Sequence, residues 1–237
     1  RLLFLLSVVT MVWGSLTGTF FSLPRENLPR FMRGIDLLAA PEMKDRNIQW
    51  LCFFIAAVHL SMARFWQALL KINSRQGIGQ IGWAVLIWAN FFTAVELIVA
   101  PGSFPQFAWL LYGMGLGLIL VCGVNWTDLG DILTFPFSLI NSFVDVLSYI
   151  RLFAVGLSSY LIAASFNDMG RMLAELNPWL IVPAALVILL GHVLNIALGL
   201  MGVLVHGIRL NTLEFSNHMG LTWSGKAFDP LRRPSEG

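Results

Sequence analysis

The chain has 237 residues, 57% of them hydrophobic and only 12% charged, with a formal net charge of +2 and a mean hydropathy of +0.74. A soluble domain carries about 25% charged residues, so this balance excludes a soluble globular protein. The small net charge points to no nucleic-acid partner, which leaves a helical protein of the lipid bilayer.

A hydrocarbon core of about 30 Å needs about 20 apolar residues per helix. The runs 2–23, 48–70, 79–99, 104–124, 135–166 and 179–208 meet that need. They predict an all-α fold, a polytopic transmembrane helical bundle making one domain over 1–237, integral to the membrane and multi-pass. The last two runs exceed the core thickness, so two long, tilted C-terminal helices are expected. None of the runs alternates as a membrane barrel strand does.

Arg1 leads straight into LLFLLSVVTMVWG, with no initiator Met and no cleavable signal architecture, as expected of a piece of something longer. Gly14 and Gly18 form a GxxxG in the first run, and Gly113, Gly115 and Gly117 cluster in the fourth. Small residues at such spacings let helices approach closely. The longest loop, about residues 24–47, holds the breakers Pro24, Pro29 and Pro41. Its cations Arg25, Arg30, Arg33, Lys44 and Arg46 are balanced by Lys71, Arg75, Lys226, Arg232 and Arg233 across the membrane, so charge leaves the orientation open. Cys52 and Cys122 lie in apolar runs and are expected to pack. Glu96 is expected at a helix end or interface, a channel carboxylate being the alternative. The tail from Asn211 on is polar and is expected outside the membrane.

The fifth run reads NSFVDVLSYIRLFAVGLSSYLI and carries Arg151 near its middle. A charge at the bilayer centre costs about 2.5–3.5 kcal/mol on insertion scales, and arginine does not shed its proton to escape that cost. At 100° per residue, Ser148, Arg151, Ser158 and Ser159 share a sector of about 100°. Asp145 lies about 120° away, out of the spacing of a helical ion pair. Arg151 therefore faces water, a neighbouring helix, or a partner. The last run, LLGHVLNIALGLMGVLVHGIRL, repeats the device. His192, Asn195, Gly199, Gly202, His206 and Arg209 fall within about 100°, a stripe about 25 Å long. Any one of these histidines alone is more simply a hydrogen-bonded helix-interface residue. The aligned stripe points to a wet path or proton relay, since histidine exchanges protons near neutral pH. His192 and His206 stand about 21 Å apart along the axis and cannot share a metal ion. No HExxH, GxSxG or phosphate-loop motif is present, so no catalytic residue, metal or cofactor is expected.

At these residues the sequence resembles a known family. VDVLSYIRLFAVGL and GHVLNIALGLMGVLVHGIRLNTLEF are similar to the last two membrane helices of the a subunit of V-type ATPases, called subunit I in bacterial and archaeal V/A-type enzymes. TMVWGSLTGTFF and AAVHLSMARFWQAL resemble earlier helices of that family. The resemblance implies a stator beside a rotating ring of proteolipids (c or K subunits), joined to central- and peripheral-stalk subunits. It implies two offset half-channels that bring protons or Na⁺ to a ring carboxylate. Arg151 matches the arginine that separates the half-channels, and Arg209 the second arginine. His192, Asn195 and His206 would line a half-channel, with Asp145, Ser148 and Ser159 on the preceding helix. The family's cytosolic N-terminal half, and the first membrane helix, are expected to lie outside this chain. Ser159 and Gly199 stand where eukaryotic members carry histidine and glutamate, which fits the prokaryotic branch and a plasma-membrane location. On this reading Arg151 is a fixed charge that meets acids delivered by a moving neighbour, not one locked to a carboxylate of its own chain. The alternative is a stand-alone secondary transporter or channel, which calls for interrupted helices near the midplane.

Overall fold

The computed structural model describes residues 1–23, 26, 28–35, 44–221 and 224–225. Pro24, Arg25, Pro41, Lys226, Arg232 and Arg233 lie outside them. The described residues are helical, with no strand. Helix α1 spans Leu2–Thr17, α2 Lys44–Leu70, and α3 Arg75–Ala94, which runs on through a wider turn over Val95–Val99. Helix α4 spans Phe107–Leu118 and also ends in a wider turn, Ile119–Gly123. Helices α5 (Leu129–Ser148) and α6 (Ile150–Leu176) are nearly one rod, and α7 (Ile181–Gly202) continues through wide turns to His218.

The all-α fold class is borne out, with four helices long and apolar enough to cross a membrane: Lys44–Leu70, Arg75–Val99, Leu129–Leu176 and Pro178–His218. The other two expected spans are shorter, Phe4–Thr17 and Phe107–Gly123. The first run stops early because Gly18 adopts a left-handed conformation (φ 63°) and returns its N–H to Gly14. A side chain there would collide with the Arg33 carbonyl. Gly18 thus ends a helix and seats a loop; the expected GxxxG helix contact is not what it makes. Of the fourth-run glycines only Gly115 sits at a helix contact, against Gly82 and Leu86 of α3, while Gly113 and Gly117 face open space. The last helix also runs past Asn211, where a polar tail was expected, because its final turns are anchored by buried polar contacts.

The core lies between α2, α3, the α5–α6 joint and the end of α7. Phe53, Ala56, Ala57 and Leu60 meet Ile87, Phe91 and Ala94, with Val146, Tyr149 and Leu210 closing the cluster. Gly79 and Gly123 bring α3 and α4 into backbone contact; a Cβ on Gly79 would lie 2.5 Å from the Gly123 Cα. Helices α6 and α7 form an antiparallel pair, seated where Gly170 faces Ile188 and Gly191 faces Phe166. Cys52 is buried on the packed face of α2, and Glu96 caps the turn after α3 by accepting from the Gly102 N–H at 2.7 Å.

Candidate functional site: a cleft between the last two long helices

The rod from α5 to α6 breaks at Tyr149. The Tyr149 N–H bonds to Val146 and the Leu152 N–H to Tyr149, three residues back instead of four. This tightening leaves the Ser148 carbonyl free to accept from Arg151 Nε at 2.9 Å. The joint is fixed by Tyr149, 2% exposed, whose hydroxyl lies 2.6 Å from His59 Nδ1 of α2. Neither Pro nor Gly stands at this break, which lies two residues before Arg151.

Arg151 projects from this joint into a cleft of about 510 Å³ between α6 and α7, where Ser158, Ser159, Asn195 and His206 are set among apolar side chains such as Val155, Ile162, Leu198 and Met201. The structure therefore gathers Arg151, Ser159, Asn195 and His206 of the expected residues. Ser159 donates to Asn195 Oδ1 at 2.9 Å, joining the two stripes. The Nδ1 of His206 is buried and has no hydrogen-bond partner among the described residues.

The other expected residues lie elsewhere. His192 bonds through Nε2 to Asn167 Oδ1 at 3.1 Å, and Asn167 donates onward to the Phe21 carbonyl, so this histidine ties α7 to α6 and to the turn after α1. Asp145 pairs with His218 at 2.9 Å. Ser148 contributes its carbonyl to Arg151, while its hydroxyl turns back to the Asp145 carbonyl. Arg209 is half exposed and stands 3.7 Å from Glu214.

Glu214 is the residue that sequence reasoning missed. Its Oε1 accepts from Arg151 Nη2 at 2.9 Å, so Arg151 does meet a carboxylate of its own chain. That corrects the expectation that only a neighbour supplies one. On a regular helix Glu214 would lie about 140° from Arg209. Residues Leu210–Phe215 instead wind in i→i+5 turns, which stack residues five apart and bring Glu214 back over Arg209. One buried carboxylate is thus shared by two guanidiniums, and the group keeps one net positive charge (two cations, one anion). Its Oε2 is buried without a partner among the described residues, and the Arg151 side chain remains 26% exposed toward the cleft.

Comparison with known proteins finds relatives along nearly the whole chain. The chain is 36% identical to V-type ATP synthase subunit I of Borreliella burgdorferi over 98% of its own length and 41% of that protein. It is 30% identical to V-type ATP synthase subunit I 1 of Treponema pallidum over 96% of its length and 39% of that protein. The chain is homologous to subunit I of the V/A-type ATP synthases. An archaeal relative, A-type ATP synthase subunit I of Methanothermobacter thermautotrophicus, is 29% identical over 88% of the chain. The chain spans about two fifths of the length of these two bacterial relatives. No family model matches it. No solved structure matches it.

Proposed function

We propose that this chain is the ion-translocating part of a rotary ATPase stator, moving protons or Na⁺ against a ring of proteolipids. The observation that carries the reading is a guanidinium in a largely apolar cleft, on the two least covered of the four membrane-length spans. In an apolar 18-residue stretch of each, 17% is buried in Leu129–Leu176 and 11% in Pro178–His218. An apolar surface rimming an arginine-lined cleft suits a membrane partner that presents a carboxylate at that depth. Relatives named as ATP synthase subunits support the coarser part of this reading, a place in a multi-subunit ATPase.

The electrostatics supports the same role. The Arg151–Glu214–Arg209 group retains one positive charge, which draws an ionised ring carboxylate and favours release of its proton or cation. Glu214 holds Arg151 in place between visits, and the incoming carboxylate shares the guanidinium on its cleft side. Ser158, Ser159, Asn195 and His206 form the wall of the path on that side. His192 and Asp145, each bonded away from the cleft, would take part only at a distance from the arginine. The chain carries out no covalent chemistry in this scheme and needs no cofactor.

The test is ATP-driven ion uptake by the reconstituted complex carrying Arg151→Ala. Uptake is expected to fall at least ~100-fold with assembly intact, the loss typical of removing one positioned electrostatic group. Uptake at the normal rate would overturn the reading. The break at Tyr149 also suits a stand-alone carrier; transport by this chain purified without other subunits would favour that instead.

A further inference from the structure

The end of α7 is held by side chains that the proposed path does not use. His218 is 1% exposed. Its Nδ1 lies 2.9 Å from Arg64 Nε of α2, and its Nε2 lies 2.9 Å from Asp145 Oδ2 of α5. A guanidinium has only donors and keeps its protons, so Nδ1 must accept and carries no hydrogen. The ring proton therefore sits on Nε2 and is donated to Asp145. Arg64 is itself fixed: Nη1 donates to Gln80 Oε1 at 3.0 Å, and the guanidinium lies 5.1 Å over the Trp83 ring. Gln67 of α2 also donates to the Met219 carbonyl, and His59 stacks on Phe215 at 4.4 Å. The charged groups acting on His218 are Arg64 from α2, Asp145 from α5 and Glu214 from its own helix.

A buried imidazole in a bilayer protein invites a relay role. A relay must take a proton at one nitrogen and release it at the other. Here one nitrogen faces a group that never gives a proton up. We propose that His218 is a neutral bridge of fixed tautomer that ties Asp145 to Arg64, and so positions the end of α7, with Glu214 one turn earlier, against Arg151. His218 is then a positioning residue. Why that position matters rests on the stator reading above; the bridge itself does not.

Glutamine discriminates bridge from relay. Its amide offers one acceptor and one donor but does not titrate. The experiment uses the whole purified ATPase complex carrying His218→Gln or His218→Leu, with Arg151→Ala alongside. It reads thermal melting of the complex, and ATP-driven uptake across a pH series. His218→Gln is expected to keep the wild-type melting point and the wild-type pH profile. His218→Leu removes the partner of Asp145 Oδ2 and of Arg64 Nε, leaving Arg64 only Gln80 and Trp83, and is expected to melt several degrees lower and to pump poorly. Loss of pumping by His218→Gln, with or without loss of stability, overturns the bridge, as does a normal melting point and normal pumping for His218→Leu. Normal pumping by Arg151→Ala would remove the stator reading alone, and the melting data would still decide the bridge.

Discussion

Helices α2 and α3 and helices α6 and α7 are two antiparallel pairs built by different rules of covering. In an apolar 18-residue stretch of each span, 33% and 39% is buried for the first pair, and only 17% and 11% for the spans that include the second. The difference is not one of packing quality. Gly79 lets α3 touch the backbone of the helix beyond it, and Gly170, Gly191 and Gly202 seat Ile188, Phe166 and Val155 just as closely between α6 and α7. The second pair is well joined, yet one face stays bare and has a cation at its floor. A bare apolar face costs nothing in lipid, but a buried arginine there does. On the proposed reading, the charge marks that face as the partner's seat.

Arg151→Ala sharpens this contrast most, since it should remove transport without loosening either pair. The opposite case is Gly79→Val. It should push α3 off α4 by driving a side chain into the Gly123 backbone, at a cost of about 1–3 kcal/mol. Denaturation of the purified complex, followed by tryptophan fluorescence, should show an earlier transition. If instead the complex melts normally, the tight pair is more yielding than its geometry implies.

Glu214→Gln comes next. It keeps the shape and an oxygen that can accept but removes the charge, so two guanidiniums share no anion and the Arg151 contact at 2.9 Å is no longer an ion pair. A hydrogen bond to a charged group contributes about 1.5–3 kcal/mol, so uptake should fall roughly tenfold or more. Glu214→Asp should fall less. Equal uptake by both variants and the unaltered complex would mean that Glu214 does not orient Arg151.

How far these effects could be foreseen depends on helix regularity. Hydrophobic run lengths placed the four long helices, and a wheel of 100° per residue placed Arg151, Ser159, Asn195 and His206 on facing sides. The wheel failed where winding departs from 3.6 residues per turn. The tightened joint at Tyr149 turned Ser148 inward, and the wide turns over Leu210–Phe215 brought Glu214 over Arg209. Neither change has a local signature in composition. The Arg64–His218–Asp145 contact joins residues 73 and 154 apart in the chain, and only the tertiary fold shows it. One signal was available: Glu214, at the end of a very apolar helix and close to Arg209, is an acid in an expensive place.

The smallest effect belongs to Gly199. A Cβ added there meets nothing within 4 Å, although the residue lines the cleft beside Asn195 and His206. Gly199→Ala should therefore leave melting unchanged and alter uptake little, because one methyl takes up only a small part of a cleft of about 510 Å³. Gly199→Leu should still melt normally, having open space to enter, but should slow uptake severalfold by filling the path beside Arg151. A residue whose enlargement harms transport and spares stability belongs to a passage. If Gly199→Leu instead pumps normally, the ion and the partner's carboxylate do not use this side of the cleft. If it lowers the melting point, the space beside Gly199 is closed in the assembled complex, and the partner seats directly on α7 at that level.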